Sequence, residues 1–265
     1  KPPEGWVIYL NGRTCGLLKK LYALKDFNGR GLVFDSNPVA ELGDHSLLLP
    51  PNRMKPKRPP ADAYRTVALR GLKRTGYLEG RYVTTAPTQR RVKRSSGKFL
   101  FESKQRGFEE VMVYYHIDNV ARYLEALGFH GCRAILRKPV AVDAYGTRED
   151  DSWYSPDLKR LKFGYGGVDD AEDGEVILHE FGHALQDAIC PGFGQSRQAA
   201  AMGEGFGDYL AASFFAHKKA DRYRTSVMSW DGVTNRRYAP PCVRRVDENR
   251  NFDHYRDRSA YEHTN

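Results

Sequence analysis

The first hundred residues read as strands and turns, and helical periodicity begins near residue 106. The apolar run at 6–10 is closed by Asn11-Gly12, a pair that predicts a hairpin. A run at 31–34, ended by Asn37-Pro38, predicts another strand, and 64–72 and 77–83 predict two more. Residues 50–60 read as an extended surface connection. The spacing over 106–127 predicts a long helix stopped by Gly128. Residues 135–142 and 151–166 read as strands. Over 175–189, Val176, Ile177, Phe181, Ala184, Leu185, Ala188 and Ile189 recur at helical spacing, and Pro191-Gly192 ends the run. A second helical stretch over 198–218 carries Ala200, Met202, Phe206, Leu210, Ala211 and Phe214. After Ala220 the pattern thins to loops with several arginines. This order implies an α+β chain, with a β-rich lobe over 1–105 and a helical region over 106–265.

The polar exceptions on the last two helices carry the chemistry. His179-Glu180-Phe181-Gly182-His183 is H-E-x-x-H, and residues four apart share a helix face. Two imidazoles so placed can close on one metal ion, with the intervening glutamate beside its open position. The bare pattern also arises by chance, so its surroundings decide. On the next helix Glu204 and Asp208 are again four apart. Two apolar helices joined by a short Gly/Pro connection should pack together and turn Glu204 toward the histidines. Catalytic zinc takes three protein ligands and leaves a fourth position open. His179, His183 and Glu204 supply three, and Asp208 can fix one histidine's tautomer from behind. Gly203, Gly205 and Gly207 would each cost about 1 kcal/mol against alanine in a helix; close approach of the two helices explains them.

These residues resemble the gluzincin metallopeptidases. The stretch VILHEFGHALQD at 176–187, followed by MGEGFGDY at 202–209, is most similar to the fungalysin family, with thermolysin-like enzymes as more distant relatives. The resemblance implies a thermolysin-like zincin that hydrolyses peptide bonds, with one zinc on His179, His183 and Glu204. It implies Glu180 as general base, Asp208 as the partner of one zinc histidine and Asp187 as support for the other. Residues 151–154 (Asp151, Ser152, Trp153, Tyr154) resemble the edge strand that binds an extended peptide. VYYHIDNV at 113–120 resembles the long helix that opens the catalytic region, and 31–39 an N-terminal sheet segment. Polypeptide substrates and secretion follow from the same resemblance.

Two departures stand beside it. Thermolysin-like enzymes carry an oxyanion-holding tyrosine shortly after the zinc helix, and here that stretch reads CPGFG at 190–194. EHTN at 262–265 resembles the segment whose histidine bonds the transition state, which makes His263 a candidate, yet the chain stops there. The expectation is a chain whose C-terminal helical lobe is missing or truncated, and the absence of an initiator methionine suggests a mature or excised piece. The alternative reading is a catalytically weak or inactive zinc-binding module that binds proteins or polyanions.

Charge changes the picture only locally. The chain carries +9, but residues 1–105 hold 21 Lys/Arg against 8 Asp/Glu while 106–265 hold 21 against 25. The basic stretches at 53–58 and 90–98 could meet an anionic surface; solvated loops are the plainer reading and nucleic acid the weaker one. No run of eighteen apolar residues exists, so no membrane span is expected. Cys15, Cys132, Cys190 and Cys242 lack C-x-x-C spacing and allow either two disulfides, in three pairings, or free thiols. The acidic run at 169–175 admits calcium, but complementing the dipole of the following helix explains it more simply.

Overall fold

The computed structural model describes residues 5–10, 17–23, 26–49 and 55–249. In chain order they form β1 (Gly5–Leu10), β2 (Leu17–Ala23), β3 (Phe27–Val33), the short helix α1 (Pro38–Leu42), β4 (Arg65–Leu72), β5 (Val83–Thr84), β6 (Lys98–Phe99) and α2 (Phe108–Ala126). There follow β7 (Val140–Thr147), β8 (Trp153–Ser155), β9 (Arg160–Gly164), α3 (Gly174–Ile189), α4 (Arg197–Phe215), β10 (Ser226–Val227) and β11 (Arg244–Arg245). The result is a mixed helix and strand structure with several sheets, compatible with the α+β class. No helix among the described residues is long and apolar enough to cross a membrane.

Helix α2 is the centre of the packing. Phe108, Val111, Met112, Val113, Tyr114, Ile117 and Val120 are all fully buried. Its apolar faces meet β3, β7 and α3. A Cβ on Gly31 of β3 would lie 2.6 Å from Val111 Cγ1, so only glycine lets the helix sit this close. β3 lies between β4, antiparallel, and β6, parallel. A four-stranded sheet has the order β5-β7-β9-β8. β5 pairs with β7 through Val83↔Val140, so the main apolar core draws on residues from both sides of position 105. β8 pairs antiparallel with β9 and is an edge of this sheet.

Several expectations shift. Residues 77–82 do not form a strand: Gly76 turns the chain at φ +80°, Glu79 makes only an isolated antiparallel bridge to Thr84, and the strand is Val83–Thr84. The strand expected at 135–142 starts at Val140, just past Arg137-Lys138-Pro139, and runs to Thr147; the proline there has no N–H to give a ladder. α4 ends at Phe215 and a 3₁₀ turn, Ala216–Lys218, completes the stretch. β1 and β2 pair antiparallel from Gly5↔Ala23 to Leu10↔Leu17, while the Asn11-Gly12 turn lies outside the described residues. The basic stretch at 90–98 is partly folded in: Arg91 pairs with Glu79 at 2.7 Å and lies over the Tyr77 ring. Cys132, Cys190 and Cys242 are free, and Cys15 lies outside the described residues.

Candidate metal centre

Asp173 starts α3 by accepting the Glu175 N–H at 2.9 Å, and Ser196 starts α4 by accepting that of Ala199 at 3.2 Å. The two helices then pack closely side by side. A Cβ on Gly207 would stand 2.7 Å from His179 Nδ1. Alanine there would push into the imidazole, which is the physical reason for a glycine that helix propensity disfavours.

Close approach brings the charged faces together. His183 Nε2 is 3.3 Å from Glu204 Oε1, and His179 Nε2 is 3.3 Å from Glu204 Oε2. Behind the pair, Asp208 Oδ1 sits 2.9 Å from His179 Nδ1 and can accept its proton, leaving Nε2 free. Each imidazole faces a different oxygen of Glu204, and one ligand atom from each of the three residues lies within 4.8 Å of the others, so the three could hold a metal ion between them. Glu180 is 7% exposed, with Oε1 3.9 Å from His179 Nε2, and is not one of the three groups that could share an ion.

Burial pushes the His179 imidazole down, but its bonds to Asp208 and Glu204 outweigh this and raise it to about 9. Burial also raises Glu204, yet His179 and His183 hold its carboxylate well below the usual range. Burial pushes Glu180 up, which the two histidines partly oppose. A protonated imidazole cannot ligate a metal. Zinc uptake at pH 7.5 should therefore release about one proton from His179, and none above its raised pKa. Calorimetric titration with zinc in two buffers of different ionisation enthalpy checks this; buffer-independent heats at pH 7.5 would show that the imidazole is already neutral.

A cleft of about 400 Å³ opens over the centre. Trp153 and Tyr154 line it, and so does Arg244, the only Lys or Arg among its described lining residues. Arg244 Nη1 lies 3.4 Å from both Glu204 Oε2 and Asp208 Oδ1. Sequence reasoning missed it. It sits in a stretch with no periodicity, and Val227↔Arg244 pairing of two-residue strands brings it back to the site.

Other expected residues are placed differently. Asp187 does not hold His183: it accepts from the Tyr154 hydroxyl at 2.7 Å and the Lys159 ammonium at 2.6 Å, and so braces β8 against α3. All four residues of the expected quartet line the cleft, and of them Trp153 and Tyr154 lie in β8. Ser152 turns inward, donating to Asp170 and accepting the Gly164 N–H at 3.1 Å, while Asp151 is exposed before the strand. His263 lies outside the described residues. No protein-family model and no curated protein matches this chain.

Proposed function

We propose that the chain is a zinc-dependent endopeptidase of the thermolysin-like, gluzincin type, secreted, as the resemblance implies, and acting on polypeptides. The observation that carries this reading is Glu180. A structural zinc site has no use for a buried carboxylate beside its ligands, and desolvating one is costly. His179, His183 and Glu204 would hold the ion, which when bound supplies Lewis acidity toward a carbonyl and toward water. Glu180 takes a proton from the attacking water as the new C–O bond forms. It returns that proton to the departing amine nitrogen as the C–N bond breaks. Its burial-raised pKa suits both halves of this exchange. Asp208 fixes the His179 tautomer throughout. Among the described residues β8 is an edge of its sheet beside the cleft, and an extended peptide can add to it as a further strand. Arg244, which lines the cleft beside Glu204 and Asp208, offers its guanidinium to a peptide carbonyl.

Incubating the zinc-loaded chain with a denatured protein tests the proposal. New amino termini should appear, vanish with a chelator and return with zinc. Chelator-resistant cleavage, or none, would refute it. The strand assignment has its own test. Trp153 is 36% exposed under the Lys162 ammonium, and Trp153→Gly removes both its side chain and the strand's stiffness. KM for peptides should rise about tenfold with zinc content unchanged, a loss of ~1.4 kcal/mol in binding. An unchanged KM would remove β8 from substrate binding.

A further inference from the structure

A second cleft, of about 520 Å³, shares no lining residue with the cleft over the metal centre. Four cations line it, Arg90, Lys104, Arg106 and Arg148, together with Tyr145 and Tyr165. They come from separate stretches of chain: Arg90 follows β5, Lys104 and Arg106 precede α2, and Arg148 follows β7. No run of charge in the sequence joins Arg148 to the others, so only the fold brings the four together.

A surface cation is ordinarily solvated and implies nothing, so what each one touches decides. Arg106 is held in place. Its guanidinium lies 4.6 Å from the centre of the Tyr145 ring and donates to the backbone carbonyls of Gln89 and Arg90. Arg148 Nε stands 3.2 Å from the Tyr165 hydroxyl. Neither makes an ion pair among the described residues, and the Arg90 side chain makes neither an ion pair nor a hydrogen bond among them. Two carboxyl groups also line the cleft. Asp169 is 3.4 Å from Lys104. Glu109 accepts from the Tyr145 hydroxyl, and burial pushes its carboxyl up to about 8, so near pH 7 it is mostly protonated. Three arginines therefore stand in one concavity without an acidic partner. The backbone adds a second sign. Among the described residues four non-glycine residues have a left-handed φ, and two of them are Arg90 at +52° and Lys104 at +67°. Residues held in such sparsely populated conformations concentrate at ligand sites.

We propose that this cleft binds a ligand bearing sulfate or phosphate groups. Charges of one sign that line a low-dielectric concavity focus their potential and concentrate anions there. Guanidinium groups pair bidentately with phosphate, and sulfate has the same tetrahedral shape. Three guanidinium groups from different stretches of chain suit an anion with acceptor oxygens on several sides better than a flat carboxylate. The cleft falls within the range of about 300–1,000 Å³ typical of organic-ligand sites, so the ligand carries these groups on a larger frame. Tyr165, 39% exposed, gives that frame a flat ring to lie against. The site stands independently of zinc binding and catalysis.

Fluorescence anisotropy tests this with two labelled probes, a sulfated hexasaccharide and a short inorganic polyphosphate, each titrated with the full chain. At least one should bind saturably, with inorganic sulfate competing, and the tighter probe tells which source supplies the groups. Arg90→Glu and Arg148→Glu should each weaken binding about tenfold or more, since a like charge now faces the anion. Both residues are exposed, so the fold should survive; should either reversal fail to fold, Arg90→Gln and Arg148→Gln decide, with the same direction of effect. Lys57→Glu, exposed and outside the cleft, makes the same change in net charge and should bind like the parent. The proposal is overturned if neither probe binds, if the Arg90 and Arg148 variants bind like the parent, or if Lys57→Glu weakens binding as much as they do, which would show attraction to net charge alone.

Discussion

Glu180→Gln should leave the protein folded and zinc-loaded while lowering kcat/KM for peptides by roughly 10³-fold, or ~4 kcal/mol of transition-state stabilisation. Glutamine keeps the size of the side chain and removes only its basicity. The ligand set of His179, His183 and Glu204 does not include Glu180, so metal content should not change. Folding should not suffer either. Burial raises the Glu180 pKa, which means that the native state holds the charged form less readily than the unfolded chain does. A neutral isostere therefore relieves the fold. Intact zinc with lost turnover is the signature of a proton-transfer residue. If Glu180→Gln cleaved as fast as the parent, the assigned base would be wrong; if zinc were lost with it, Glu180 would be a ligand.

Glu204→Ala should do the reverse and empty the site. Its carboxylate stands 3.3 Å from both imidazoles and bridges them. Removing it leaves two histidines on α3 and strips Arg244 of one of its two carboxylate partners. Losing an outer partner such as Asp208 costs roughly 10–100-fold in metal affinity, and losing a direct ligand should exceed that range. Zinc retained after dialysis, measured by plasma mass spectrometry, gives the order: parent highest, Asp208→Ala lower, Glu204→Ala lowest. Equal zinc in Glu204→Ala and the parent would exclude Glu204 from the ligand set.

The centre was readable in the sequence because its geometry is local. His179 and His183 lie one turn apart, Glu204 and Asp208 lie one turn apart, and Gly207 marks where α3 and α4 approach. What escaped depends on contacts between distant elements. Arg244 reaches the site through two strands of two residues each, too short for any period to register. Asp187 shows a related limit: helical spacing tells which face a carboxylate occupies, but Lys159 and Tyr154, from the β8–β9 hairpin, decide its partner. Ser152 belongs by composition to a strand, yet its hydroxyl is drawn inward by Asp170, and pairing begins one residue later.

Zinc-edge X-ray absorption of the loaded protein, with and without a hydroxamate, tests the central claim most directly. Four nitrogen or oxygen neighbours at about 2.0–2.1 Å are expected, two with imidazole scattering and none sulfur. One non-imidazole neighbour should exchange when hydroxamate binds, because three protein ligands leave one position open. A sulfur neighbour, or a shell that hydroxamate leaves unchanged, would contradict a catalytic zinc held by His179, His183 and Glu204.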